Sequence, residues 1–168
     1  MLPAGTMGGM VLVREVGPDE WETLREIRLA ALKEAPYAFG SSYEREAPFT
    51  EERWRKRLTS RTVTFFAELE ATPLPAGIAG VYEEDGAADL VSMWVRPAAR
   101  GRGAADALVN AASDWAKAHG YDTLYLWVTE SNAPARKLYE RCGFTPTGES
   151  QPLPSDPSLP EIRMSRPL

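Results

Sequence analysis

Val95-Arg96-Pro97-Ala98-Ala99-Arg100-Gly101-Arg102-Gly103-Ala104-Ala105 is the stretch from which the rest of the chain is best read. An apolar run of strand length, Leu90 to Val95, stops at Pro97, and a helical pattern begins within a few residues, so the glycines mark a strand-to-helix turn. A turn of this kind suits an anion. The first amides of a helix have no intrahelical acceptor, and the helix dipole adds positive charge there, so Gly101, Arg102, Gly103, Ala104 and Ala105 can direct N–H groups at phosphate oxygens. Glycine lets a bulky diphosphate approach the backbone, and Arg100 and Arg102 bring charge. The dinucleotide fingerprint G-x-G-x-x-G is not met, because Asp106 stands where its last glycine belongs. A strand-to-helix turn with solvated arginines is the competing reading.

Around this turn the chain has 168 residues, 43% of them hydrophobic, which is one domain with a real core. We expect a flexible segment at residues 1–9 and the domain over 10–168. A net charge of −5 argues against a nucleic-acid partner, and no apolar run has the length of a membrane span. A lone Cys142 excludes an internal disulfide, and with a lone His119 it argues against a structural metal site. Without a charged, apolar-cored leader, the sequence predicts a cytoplasmic protein.

Val11 to Val16 predicts a strand, and Gly17-Pro18-Asp19-Glu20 opens a helix that ends near Glu34, ahead of Pro36. An aromatic, small-residue loop, Tyr37 to Tyr43, follows, and Thr50 caps a second helix through Leu58. Strands are expected at Val63 to Leu69 and Ala76 to Tyr82, with turn material at Ala71 to Pro75. Glu84-Asp85-Gly86 makes a hairpin into the strand Asp89 to Val95. A helix from Gly103 to His119 presents Ala105, Leu108, Ala112, Trp115 and His119 on one face, with Gly120 as its cap. Thr123 to Val128 is then parallel to Leu90 to Val95 by the right-handed crossover rule, which puts the glycine turn at the C-terminal ends of neighbouring parallel strands.

Beyond that strand stands Asn132-x-x-Ala135-x-x-Leu138-Tyr139-x-x-x-Gly143-Phe144. Its helix begins near Asn132, turns Leu138 to the core and ends at Gly143. Together, this stretch and Arg100-x-x-Gly103-x-Ala105 resemble the two signatures of the GCN5-related N-acetyltransferase (GNAT) family, N-x-x-A-x-x-L-Y-x-x-x-G-F and R/Q-x-x-G-x-G/A. The resemblance is close over Leu90 to Phe144. It implies a single α/β domain with a mixed sheet, antiparallel N-terminal strands and a splayed parallel central pair, flanked by about four helices.

The same resemblance implies an acetyl-CoA-dependent N-acetyltransferase, an acyltransferase of groups other than aminoacyl, in which an amine attacks directly without a metal. Its cofactor site would comprise the turn from Arg100 to Ala105, the pantetheine-binding strand Met93, Trp94 and Val95, and Asn132, Ala135 and Tyr139. A bulge would free an amide of Trp94 or Val95 for the thioester carbonyl. Tyr139 matches the tyrosine that protonates the departing thiolate. Asp89, in the context Ala88-Asp89-Leu90, stands where the histone-acetyltransferase branch carries a glutamate base, with Glu83, Glu84 and water as competitors.

Cys142 as a covalent nucleophile is the weaker reading beside packing, as is His119 as a base. The acceptor would lie between Tyr37 to Glu46 and a proline-stiffened connection, Glu149 to Leu159, before a closing strand Ile162 to Ser165. There Glu44, Glu46, Glu149 and Asp156 would favour a cationic amine, while Tyr37, Phe39 and Tyr43 would favour an aromatic one. A small-molecule amine and a peptide N-terminus both fit, and a homodimer is compatible. The rivals are a non-catalytic acyl-CoA-binding or sensing domain and a phosphate-binding module using Arg96, Arg100 and Arg102.

Overall fold

The computed structural model describes residues 10–70 and 74–168. The expected N-terminal segment 1–9 and part of the turn at 71–75 lie outside the described residues. The elements run β1 (Val11–Glu15), α1 (Trp21–Glu34), α2 (Tyr43–Glu46), α3 (Glu51–Arg57), β2 (Thr62–Leu69), β3 (Gly77–Glu84) and β4 (Ala87–Val95). They continue with α4 (Ala104–Ala118), β5 (Thr123–Thr129), α5 (Ala133–Arg141), β6 (Thr145–Leu153) and β7 (Asp156–Pro167). The sheet has seven strands in the order β1-β2-β3-β4-β5-β7-β6, antiparallel except for β4 and β5.

The Asp85-Gly86 turn has φ of 50° and 78°, the positive values a tight hairpin requires. Thr50 caps α3 by accepting the Arg53 amide, and Asn132 caps α5 by accepting the Ala135 amide. Each face of the sheet carries its own core. One gathers α4, β5 and the side chains of Leu108, Leu124, Tyr139 and Phe144; the other gathers α1 with Trp54, Phe66, Ile78 and Trp94. The buried stripe of α4 is Ala104, Leu108, Val109, Ala112, Ser113 and Ala116, so the expected face is rotated. Ala105 and Trp115 sit at its margin, and His119 is exposed beyond the helix end, stacked on Trp115 with Nδ1 on the Trp115 carbonyl.

The largest departure from expectation is at the C-terminus. The connection read as a proline-stiffened loop, Glu149 to Leu159, is a hairpin whose strands turn at 154–155 and pair Pro152 with Pro160. Prolines are tolerated here because β6 is a sheet edge and β5 pairs with β7 only from Glu161 onward, leaving residues 156–160 without a β5 partner. The loop after α1 likewise holds the short helix α2, capped by Ser42.

Beneath α2 lies a buried ion cluster. Arg28 on α1 grips Glu46 with both arms, Nε to Oε1 at 2.9 Å and Nη2 to Oε2 at 3.0 Å, and Arg57 donates to Oε1 at 2.7 Å. Burial alone would raise the Glu46 carboxyl, but hydrogen bonds from Arg28 and Ser41 and the charge of Arg57 outweigh it and hold the group down to about 2. The folded value lies below the ordinary 4.5, so this carboxylate stabilises the fold above pH 4.5 and the contribution is lost as pH falls toward 2. We expect that loss to be about 3 kcal/mol. Urea unfolding of wild type and Glu46→Gln at pH 5 and pH 2.5 samples most of it: the wild type should lose about 2 kcal/mol more stability than the variant, and equal losses refute the assignment.

Candidate active site

The parallel pairing of β4 with β5 covers only Ala88 to Leu90 against Leu124 to Leu126. Beyond that point the strands part, and the cause is in β4. Ile78 faces Trp94 and Gly80 faces Val91, so Ser92 and Met93 together oppose the single residue Ala79. This is a β-bulge, with Ser92 in the left-handed region at φ 59° and its hydroxyl accepting from Arg28 Nη1 at 3.3 Å. The extra residue shifts the strand's parity. Ala88, Leu90, Met93 and Val95 all meet the α4-side core, while Trp94 joins the α1-side core and its indole donates to Glu34 Oε2 at 2.8 Å.

The parity also sorts the amides. Arg96 N–H bonds the Ala76 carbonyl on the β3 side at 2.8 Å. Amides alternate edges along a strand, so that of Trp94 points to β3 and that of Val95 to the opened edge toward β5. Of the two amides considered in the sequence, Val95's is on the open edge. Its carbonyl accepts from Arg100 Nε at 3.1 Å.

At the mouth of the opening, Val95, Ala99, Gly101, Gly103, Ala105 and Arg141 help to line a cleft of about 230 Å³. Gly101 and Gly103 have φ of 82° and 86°, and a Cβ on either would meet nothing within 4 Å. The chain's own requirement for glycine here is therefore conformational rather than steric. The first bond of α4 runs from Ala107 N–H to the Gly103 carbonyl, and among the described residues the amides of Gly101 to Asp106 reach no backbone acceptor outside the helix. A row of free N–H groups at the positive end of a long helix fits a diphosphate.

The arginines behave differently from expectation. Arg100 turns its guanidinium away to Glu34, at 3.0 Å, so its charge ties the turn to α1 instead of standing free beside the anion. Hydrogen bonding from Trp94, with help from Arg100, holds the Glu34 carboxyl below its usual range. Arg102 is exposed and makes no ion pair among the described residues. Arg141, at the end of α5 and not singled out by either motif, reaches the cleft and binds Asp106 with Nη2 at 3.1 Å to each oxygen. It thereby offsets the carboxylate that the sequence puts in the first turn of α4.

Asn132 and Ala135 are joined in the α5 cap at 3.4 Å. Tyr139 is 7% exposed, edge-on to Phe144, and burial raises its phenol well above the usual range, so it holds its proton at neutral pH. Burial first, then the hydrogen bond to Asp106, raises the Cys142 thiol, which disfavours the thiolate a covalent route would need.

On the opposite face of the sheet, Asp89 accepts from Arg163 Nη2 at 3.2 Å, and Arg163 spreads over the Tyr125 ring at 4.3 Å. Burial raises the Asp89 carboxyl and Arg163 opposes the rise. Glu83 is committed elsewhere, accepting from the Tyr121 hydroxyl, whereas Glu161, which neither motif marks, stands on the same face as Asp89. It lies in β7 beside Thr129, 6% exposed, with burial raising its carboxyl against a 2.6 Å bond from Gln151 Nε2. Pairing across β5, β7 and β6 created this site, and no local spacing announces it. The Thr129 hydroxyl donates to the Tyr37 carbonyl at 2.6 Å and the Ser155 hydroxyl donates to that of Phe39, so the loop after α1 and the β6–β7 turn close over one end of the opening.

A family model described as Acetyltransferase (GNAT) family matches residues 21–144. The chain belongs to this family. A GCN5-related N-acetyltransferase from Kribbella flavida shares 26% sequence identity with this GNAT chain, and its solved structure superposes with a TM-score of 0.74 over 94% of this chain and 98% of that one. An uncharacterized N-acetyltransferase of Methanocaldococcus jannaschii is 29% identical over 140 residues, which are 79% of this chain and 59% of that protein. Mycothiol acetyltransferase of Beutenbergia cavernae is 38% identical over 81 residues, 39% of this chain and 27% of the relative. The GNAT chain thus spans between 27% and 59% of the length of these curated relatives. Among the described residues, no helix is long and apolar enough to cross a membrane.

Proposed function

We propose that this GNAT chain is an acetyl-CoA-dependent N-acetyltransferase that moves an acetyl group to a primary amine within a ternary complex. The observation that carries the reading is the alignment of a bulge-opened β4–β5 gap with a row of free amides at the start of α4. Acetyl-CoA would supply an activated thioester. Gly101 to Ala105 would hold its diphosphate, and the edge from Met93 to Val95 would pair with its amide-bearing arm. Val95 N–H would support the thioester oxygen as negative charge develops there, a contribution of about 3 to 4 kcal/mol for such a donor. Holding both reactants in line accounts for much of the remaining acceleration.

Asp89 would drain the amine's proton, through a water, because aspartate is one methylene shorter than glutamate. Its elevated carboxyl suits a base, and Arg163 fixes its orientation. Tyr139 would return a proton to the leaving sulfur. The acceptor would approach from the face that carries Asp89, Tyr125 and Glu161. The expected cationic preference loses one support, since Glu46 is already neutralised by Arg28 and Arg57. Thiol release from acetyl-CoA with a panel of amines, amino acids, polyamines and peptides tests the proposal; binding of acetyl-CoA without turnover on any of them would favour an acyl-CoA sensor.

Tyr139→Phe should lower kcat by about tenfold and leave KM for acetyl-CoA nearly unchanged, because only a transition-state interaction is lost. Pre-steady-state kinetics showing an unchanged chemical step would return Tyr139 to a packing role.

A further inference from the structure

A second cleft, of about 350 Å³, opens between α2 and α3, away from the glycine turn, and cations dominate its lining: Arg45, Arg53, Lys56 and Arg57. Its carboxylate, Glu46, is already used on both oxygens by Arg28 and Arg57. Arg45, Arg53 and Lys56 make no ion pair among the described residues, and Glu44 and Glu52, adjacent in sequence, pair with neither arginine. Arg53 sits over the Phe49 ring, 3.7 Å from guanidinium carbon to ring centroid, which limits its freedom to leave the cleft. Burial first, then the charge of Arg28, depresses the Arg57 guanidinium against the attraction and hydrogen bond of Glu46. Arg45, Arg53 and Lys56 are exposed, so water and salt screen part of their mutual repulsion, and a bound anion would relieve the rest.

We propose that this cleft binds an oxyanion, a phosphate monoester or a small di- or tricarboxylate, at a site separate from the glycine turn. Guanidinium groups match such oxygens with paired hydrogen bonds, Lys56 adds a point charge, and the volume suits a small group better than a nucleotide. The cleft is tied to the β4 bulge through its Glu46. Arg28, which grips Glu46, reaches Ser92 in the β4 bulge.

The test uses the full chain without acetyl-CoA. Inorganic phosphate and, separately, citrate are titrated against ¹H–¹⁵N spectra, with the buried Trp54 indole N–H, which has no hydrogen-bond partner among the described residues and whose ring carries Arg57 at 5.5 Å, as a reporter. We expect saturable shifts with a Kd of about 1 mM or tighter, and none from chloride at equal ionic strength. The double variant Arg53→Gln/Lys56→Gln should weaken binding by about tenfold or more, while Gly103→Asp leaves it intact. No saturable shift up to about 50 mM, or shifts lost in Gly103→Asp and kept in the double variant, would overturn the site.

Acetyl-transfer assays then separate two sources of the anion. If it is part of the acceptor, the double variant raises KM for a carboxylate-bearing amine and spares the same amine lacking the carboxylate. If it is a free effector, both amines respond alike and only the response to added phosphate disappears. Either pattern supports the site.

Discussion

Gly103→Asp is expected to lower affinity for acetyl-CoA by about a hundredfold or more while the chain stays folded. Gly103 is the left-handed residue that begins α4, and space is open around its Cα. A carboxylate there stands beside the amides that would hold a diphosphate and opposes the helix dipole. At about 4 Å and an effective dielectric near 20, each added repulsion is worth about 4 kcal/mol. The backbone strain, about 1 to 2 kcal/mol for a non-glycine residue in this region, is within the stability of an ordinary domain. Calorimetry reads the affinity and circular dichroism the Tm. Gly103→Ala, with the same strain and no charge, separates the two causes, and undiminished affinity in Gly103→Asp would remove the cradle from the glycine turn.

Asp89→Asn should lower kcat/KM by about a hundredfold and abolish the acidic limb of its pH profile, with little change in acetyl-CoA affinity. The sign follows from burial, which raises the Asp89 carboxyl. The wild-type rate should therefore rise with pH through a value above the usual aspartate range, because the base works only when ionised. Arg163→Gln removes the partner that opposes this rise and should move the limb to higher pH. Glu161→Gln is the decisive comparison, since its carboxyl is also raised by burial. If that variant alone loses the limb, the proton leaves through β7. If neither does, the amine arrives deprotonated.

The two motifs were legible because their physics is local. A strand that stops at Pro97, glycines that accept positive φ and an Asn132 that caps its own helix depend on neighbours within a few positions. The same holds for the Asp85-Gly86 hairpin. The hairpin in the proline-rich C-terminus was not legible because the cost of a proline depends on whether the strand beside it needs its N–H, and that is settled by where β5 ends.

By itself, then, the sequence determined the order of the elements apart from the short α2 and the C-terminal hairpin, the parallel central pair, the glycine turn ahead of a long helix and the resemblance that names the family. Only the tertiary structure decided which charges remain free. Arg100 pairs with Glu34, Glu46 with Arg28 and Arg57, and Asp106 with Arg141, while Arg45, Arg53 and Lys56 have no ion-pair partner among the described residues and line a cleft. These partners lie far apart in sequence or on different elements. Charge acts through space over a few ångströms, so composition counts the charges and the fold alone pairs them.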